Sequence, residues 1–207
     1  MALRRRLSNI CPIDVPSAPT RIGGLCSRSN VLDFRELVQH RIVFLAEPVN
    51  PESANRLIAQ LLRLDADSHD RPIDLYVNCP GGSVSDGIAI IDAMHCIQAP
   101  VGTTCIGQAA SMAAWILAAG TPGRRWATPN AEVMIHQVAG GFSGSAADIQ
   151  VHTRHMLRRQ QRLVDMLAAW TGQTPDRITR DMERDFFMTA HEAMAYHLID
   201  EALKPRR

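Results

Sequence analysis

A chain of 207 residues fits one domain and can bury a sizeable core. Its composition, 46% hydrophobic and 21% charged, is that of a soluble globular protein, and a net charge of +1 gives nucleic acid or an anionic membrane no bulk electrostatic hold. No apolar run approaches the roughly 18 residues of a membrane span. Met1 to Pro19 carries Arg4, Arg5 and Arg6 but no apolar h-region, so it does not read as a secretory signal.

Taken in chain order, residues 1–30 hold prolines, glycines and polar residues without periodicity and read as an irregular lead-in, with a single domain over 31–207. Arg41 to Leu45 reads as a buried strand ended by Glu47-Pro48. From Pro51, Ala54, Leu57, Ile58, Leu61, Leu62 and Leu64 supply an apolar stripe at helical spacing, followed by a polar loop over Asp65 to Pro72. Ile73, Leu75 and Val77 alternate with Asp74, Tyr76 and Asn78, a period-2 strand that runs into the turn Cys79-Pro80-Gly81-Gly82. A helix with Val84, Ile88, Ile91 and Met94 on one face stops before Pro100.

Strand, turn and helix repeat as Val101–Ile106, Gly107–Ala110 and Ser111–Ala119, and a third strand, Glu132 to Gln137, runs into Gly140-Gly141. Such alternation implies parallel strands with crossover helices and sites at the strands' C-terminal ends. A long helix from Ser145 or Ala146 to about Trp170 repeats Ile149, Met156, Leu163 and Trp170 every seventh residue on a largely polar rod. That pattern suits packing against another chain, and equally an ordinary surface helix. A helix over Pro175 to Met182, an apolar link Phe186-Phe187-Met188 and a short helix over Ala190 to His197 close the chain.

The five cysteines, Cys11, Cys26, Cys79, Cys96 and Cys105, are scattered and odd in number. They read as buried reduced thiols of a cytosolic protein rather than a disulfide framework or a zinc site. His152 and His155, three apart on the long helix, lack a further ligand and read as a solvated face.

The chemistry concentrates at three strand ends: Gly81-Gly82, Gly107 to Ser111, and His136-Gln137. Ser111 sits where a turn becomes a helix. It is either a nucleophile whose oxyanion meets backbone donors or an ordinary N-cap. His136 can be its base or a core histidine, and Asp181, Glu183 and Asp185 can each orient the base.

Pro80-Gly81-Gly82-Ser83-Val84, Gly107-Gln108-Ala109-Ala110-Ser111-Met112, Met134-Ile135-His136-Gln137 and Glu183-Arg184-Asp185-x-Phe187 together resemble the signatures of ClpP, the proteolytic subunits of Clp proteases. The resemblance covers about Phe34 to Leu203. It implies an α/β fold of the ClpP/crotonase-like kind, built of strand-turn-helix units with a protruding handle helix at about 145–170. Ser111 then matches the nucleophile, His136 the base and Asp185 the orienting carboxylate. The amides of Gly82 and Met112 match the oxyanion hole, and the segment holding Gln137, Val138, Gly140 and Gly141 matches the strand that pairs with an extended substrate. No metal or organic cofactor is implied. The implied partners are further copies or a second ClpP paralogue in two stacked seven-membered rings, an Hsp100-type ATPase unfoldase, and unfolded polypeptides in the cytoplasm. The resemblance does not cover the first 30 residues, which stand where a pore loop or propeptide would, and the stretch before Asp33 lacks the usual family wording for the pore loop.

The resemblance also carries departures. Asp74, Tyr76, Cys96 and Trp126 match residues around an outer pocket for an apolar unfoldase loop, yet Asp74 is a charge and Cys96 is small. Val138 stands where a proline often follows His-Gln. A catalytically silent ring subunit and a crotonase-like acyl-CoA enzyme are the competing readings.

Overall fold

The chain divides into two units, Met1–Leu32 and Asp33–Arg207. The structure, a computed structural model, describes residues 34–205. The irregular lead-in expected over 1–30, with Cys11 and Cys26, lies outside the described residues.

The second unit is built on a sheet in which β1 (Ile42–Leu45), β2 (Ile73–Cys79) and β3 (Val101–Ala110) run parallel. Beyond β3 the sheet forks. Thr103–Cys105 pairs with β4 (Arg125–Ala127), which pairs in turn with β7 (Glu201–Ala202). Gln108–Ala110 pairs instead with β5 (Glu132–Ile135), whose other edge takes β6 (Phe186–Thr189) antiparallel. The fork lies at Gly107, whose φ of 77° few other residues tolerate, and a Cβ there would meet Asn78 Oδ1 at 2.8 Å. The register against β2 jumps between Val77, opposite Cys105, and Cys79, opposite Ala109, and the extra residues lie on β3, where it swings from one partner to the other.

Leu75, Val77, Thr103 and Cys105 face a helix layer. In it α2 (Pro51–Asp67) packs on α3 (Val84–Cys96), and α3 packs on α4 (Met112–Ala118). Asn50 caps α2, accepting from the amides of Glu52 and Ser53, and Pro51 takes a first-turn position where its missing N–H costs nothing. All seven residues of α4 are buried, and its alanines let the sheet approach closely. At the same crossing a Cβ on Gly87 of α3 would lie 2.1 Å from the Met112 side chain.

The longest helix, α5 (Ala146–Thr171), is half in and half out. Leu163, Val164 and Leu167 are buried, and Trp115 of α4 donates its indole N–H to the Leu163 carbonyl at 3.0 Å. Toward its start, Ile149, Val151 and Leu157 are exposed. The short helices α1 (Phe34–Gln39), α6 (Pro175–Asp181) and α7 (Ala190–Ala195) complete the unit.

Four expectations need correcting. Gly107–Ala110 is not a turn but the end of β3, kept in the sheet by its pairing with β5. Phe186-Phe187-Met188 is a strand rather than a link, and it runs antiparallel where only parallel strands were anticipated. The third strand ends at Ile135, leaving His136 and Gln137 just past it. The polar stretch expected from Asp65 starts three residues late, at Ser68, because α2 continues to Asp67.

Candidate active site

Ser111 follows directly on β3 and precedes α4, with φ 53° and ψ −131°. Its side chain makes no capping hydrogen bond, so the hydroxyl is not spent on the helix end. Ser111 N–H donates to the Met134 carbonyl at 2.8 Å, which ties the turn to β5 and places Ser111 beside the end of that strand. A side chain in this sparsely populated backbone region is strained, and the surrounding sheet and helix hold it there.

His136 leaves the end of β5 and meets Ser111. Its Nε2 lies 2.8 Å from Ser111 Oγ, and its Nδ1 lies 3.0 Å from Asp185 Oδ1. The register explains the second contact. Ile135 pairs with Phe186, so one step further along the antiparallel pair His136 falls opposite Asp185. An ionised carboxylate only accepts, so Nδ1 carries the proton, and Nε2 is left to accept from the Ser111 hydroxyl. Of the other candidate acids, Asp181 accepts the Tyr196 hydroxyl at 2.9 Å, and the Glu183 carbonyl accepts from the Gln137 side chain.

The Gly81–Gly82 turn is pinned by Val49, which donates to the Gly81 carbonyl and accepts from Ser83 N–H, both at 2.8 Å. A Cβ on Gly82 would sit 2.2 Å from the Val49 carbonyl oxygen, and one on Gly81 would sit 2.6 Å from Ser111 Cβ. Only glycines allow this turn to lie between Val49 and the serine. Met112 N–H is one of the first amides of α4, which have no intrahelical acceptor. Among the described residues neither it nor Gly82 N–H donates to a protein acceptor. Gly82, Ser111, Met112 and His136 together line a cleft of about 200 Å³, closed behind by Trp115 and Leu163.

Gln137 and Val138 line the same cleft, and Val138 and Gly140 line a second one that adjoins it; Gly141 is exposed. Two amides of this segment are already engaged. Gln137 N–H donates to the Met182 carbonyl at 2.8 Å, and Val138 N–H donates to Gln160 Oε1 of α5 at 2.7 Å. Gln160 was not singled out from the sequence. Its partner is a main-chain amide 22 residues away, and no local spacing signals such a bond.

Asp74, Tyr76 and Trp126 share the sheet face opposite the helix layer. Tyr76 stacks on Phe44 with ring centroids 5.2 Å apart, and Trp126 covers Gly102 beside Asp74. Burial pushes the Asp74 carboxyl above its ordinary range, and nearby Arg124 only partly offsets this. Cys96 is not brought to this face, because it ends α3 in the helix layer; it is exposed, against the expectation of burial. Cys79 and Cys105 are buried, and burial pushes the Cys105 thiol up to about 12, which keeps it a thiol at neutral pH. His152 stacks on Phe142 with ring centroids 5.0 Å apart. Among the described residues no group of three or more side chains is placed to hold a metal ion, and no helix is long and apolar enough to cross a membrane.

A serine, an imidazole and a carboxylate in hydrogen-bonded series, with two unengaged amides on the same cleft, are the parts that acyl transfer requires. Comparison with known protein families agrees with that chemistry. The family model described as Clp protease matches residues 27–206, most of the chain and every residue of the cleft described above. The chain belongs to the Clp protease family.

Proposed function

We propose that this chain is the proteolytic subunit of a Clp-type ATP-dependent protease, a serine endopeptidase that cleaves unfolded polypeptides. The observation that carries the reading is the series Ser111–His136–Asp185, with separations of 2.8 and 3.0 Å. As Ser111 Oγ attacks a peptide carbonyl, His136 Nε2 takes its proton, and Asp185 holds the tautomer and stabilises the imidazolium. The amides of Gly82 and Met112 receive the developing oxyanion. His136 then protonates the leaving amine, and water attacks the acyl-enzyme by the same route.

The working form would be two stacked seven-membered rings, of this chain alone or with a second paralogue, fed by an Hsp100-type ATPase in the cytoplasm. The exposed apolar residues on the outer half of α5 are what a helix that packs on another subunit would display. The half-open face around Tyr76 and Trp126 is the corresponding candidate for the unfoldase.

Hydrolysis of a fluorogenic peptide and of an unfolded protein, by the wild type and by Ser111→Ala, tests the assignment. The substitution should lower kcat about a thousandfold or more. Turnover that survives it would place the chemistry elsewhere.

A further inference from the structure

The reaction cleft opens into a second groove of about 390 Å³, between the segment that follows His136 and the exposed face of α5. Phe142, Met156 and Val138 give it apolar walls, and its charged or titratable lining residues are Arg159, His152 and His155. No carboxylate lines it. Arg159 Nη2 donates to Ser85 Oγ at 2.6 Å, a neutral partner that holds the guanidinium at the groove without cancelling its charge. Its other N–H groups have no acceptor among the described residues. A half-buried arginine with most of its donors unengaged, beside apolar walls, suits a planar carboxylate.

From this we infer that the groove is a specificity subsite for an acidic side chain, Asp or Glu, of the peptide whose scissile bond lies at Ser111. The inference rests on the reading of Ser111 as the nucleophile. Val138 lines both the cleft and the groove, so a chain threaded along residues 137–141 would place a side chain within a few residues of the cleaved bond against Arg159. The walls accommodate the methylenes, and the guanidinium takes the carboxylate.

The test uses fluorogenic peptides that carry Glu, Gln or Lys at each of the four positions on either side of the cleaved bond. For the wild type at low salt, kcat/KM should favour Glu over Gln about tenfold at one position, and the preference should fall in 0.5 M salt as the pair is screened. Arg159→Glu should turn that ratio toward Lys, while Arg159→Lys should keep part of it. Titration with a fluorophosphonate normalises each variant to its count of reactive Ser111. Binding of the same peptides to Ser111→Ala, followed by fluorescence anisotropy, reads the groove independently of turnover. Absent turnover by the wild type would overturn the proposed activity. Equal binding of Glu and Gln peptides, or a Glu preference that survives Arg159→Glu, would overturn the subsite.

Discussion

The serine is held in a backbone conformation that its own side chain disfavours. With φ at 53° and ψ at −131°, Ser111 occupies a region natural to glycine, and it forms no cap. Two replacements separate the backbone from the hydroxyl. Both Ser111→Ala and Ser111→Gly lose the bond to His136, but only glycine relaxes the turn. Ser111→Gly is therefore expected to be the more stable by about 1 kcal/mol, or roughly 2–4 °C in Tm by calorimetry. Equal melting points would show that the turn stores no strain. Asp74 carries the opposite kind of cost. Its folded-state pKa lies above the unfolded value, so the ionised carboxylate weakens the fold at neutral pH, and that penalty fades as pH falls through the raised pKa and the group is protonated. Asp74→Asn should raise Tm at pH 7 and raise it less at pH 4. A gain that grows toward acid would contradict this sign.

At the scale of elements, the site is made by two strand ends and a register. That Ser111 stands where a strand gives way to a helix, and His136 near the end of another strand, was legible in the sequence from the apolar runs before them, although the turn expected at Gly107–Ala110 is part of β3. The carboxylate was not legible from pattern. Choosing Asp185 over Asp181 and Glu183 depends on Ile135 pairing with Phe186, a long-range antiparallel register with no local signature. Phe186-Phe187-Met188 lacks the alternation that identifies a strand, and Gly107 looks like a terminator although β3 continues through it by changing partners. The bond from Val138 N–H to Gln160 was equally hidden, and it answers the missing proline at that position. Val138 has an N–H to satisfy, and α5 supplies the acceptor. Gln160→Ala should therefore loosen the segment after His136, lowering kcat several-fold with little change in Tm. In a Val138→Pro background, where no N–H remains, the same substitution should change kcat by less than about twofold. An equal loss in both backgrounds would show that Gln160 acts by some other route.

For the molecule as a whole, the second unit buries α4, the helix that follows Ser111, and presents the outer half of α5 outward. Between Gln150 and Arg162 that helix carries, besides the groove residue Arg159, Arg154, Arg158 and Arg162 and no carboxylate. If copies of this chain meet through these helices, like charges face one another, and added salt should favour assembly by screening them. If the proposed two-ring form assembles in this way, its fraction in sedimentation should rise between 50 and 500 mM salt, and a fall would show that attraction between unlike charges dominates the contact. The central claim is that Ser111, activated by His136 and Asp185, is the nucleophile. Its most direct measurement is the rate and position of covalent modification by a fluorophosphonate, mapped by mass spectrometry on the wild type, His136→Ala and Asp185→Asn. A single adduct on Ser111 of the wild type, formed at least about a hundredfold more slowly in either variant, is the expected result. An unmodified Ser111, or one that reacts equally fast without its imidazole, would contradict it.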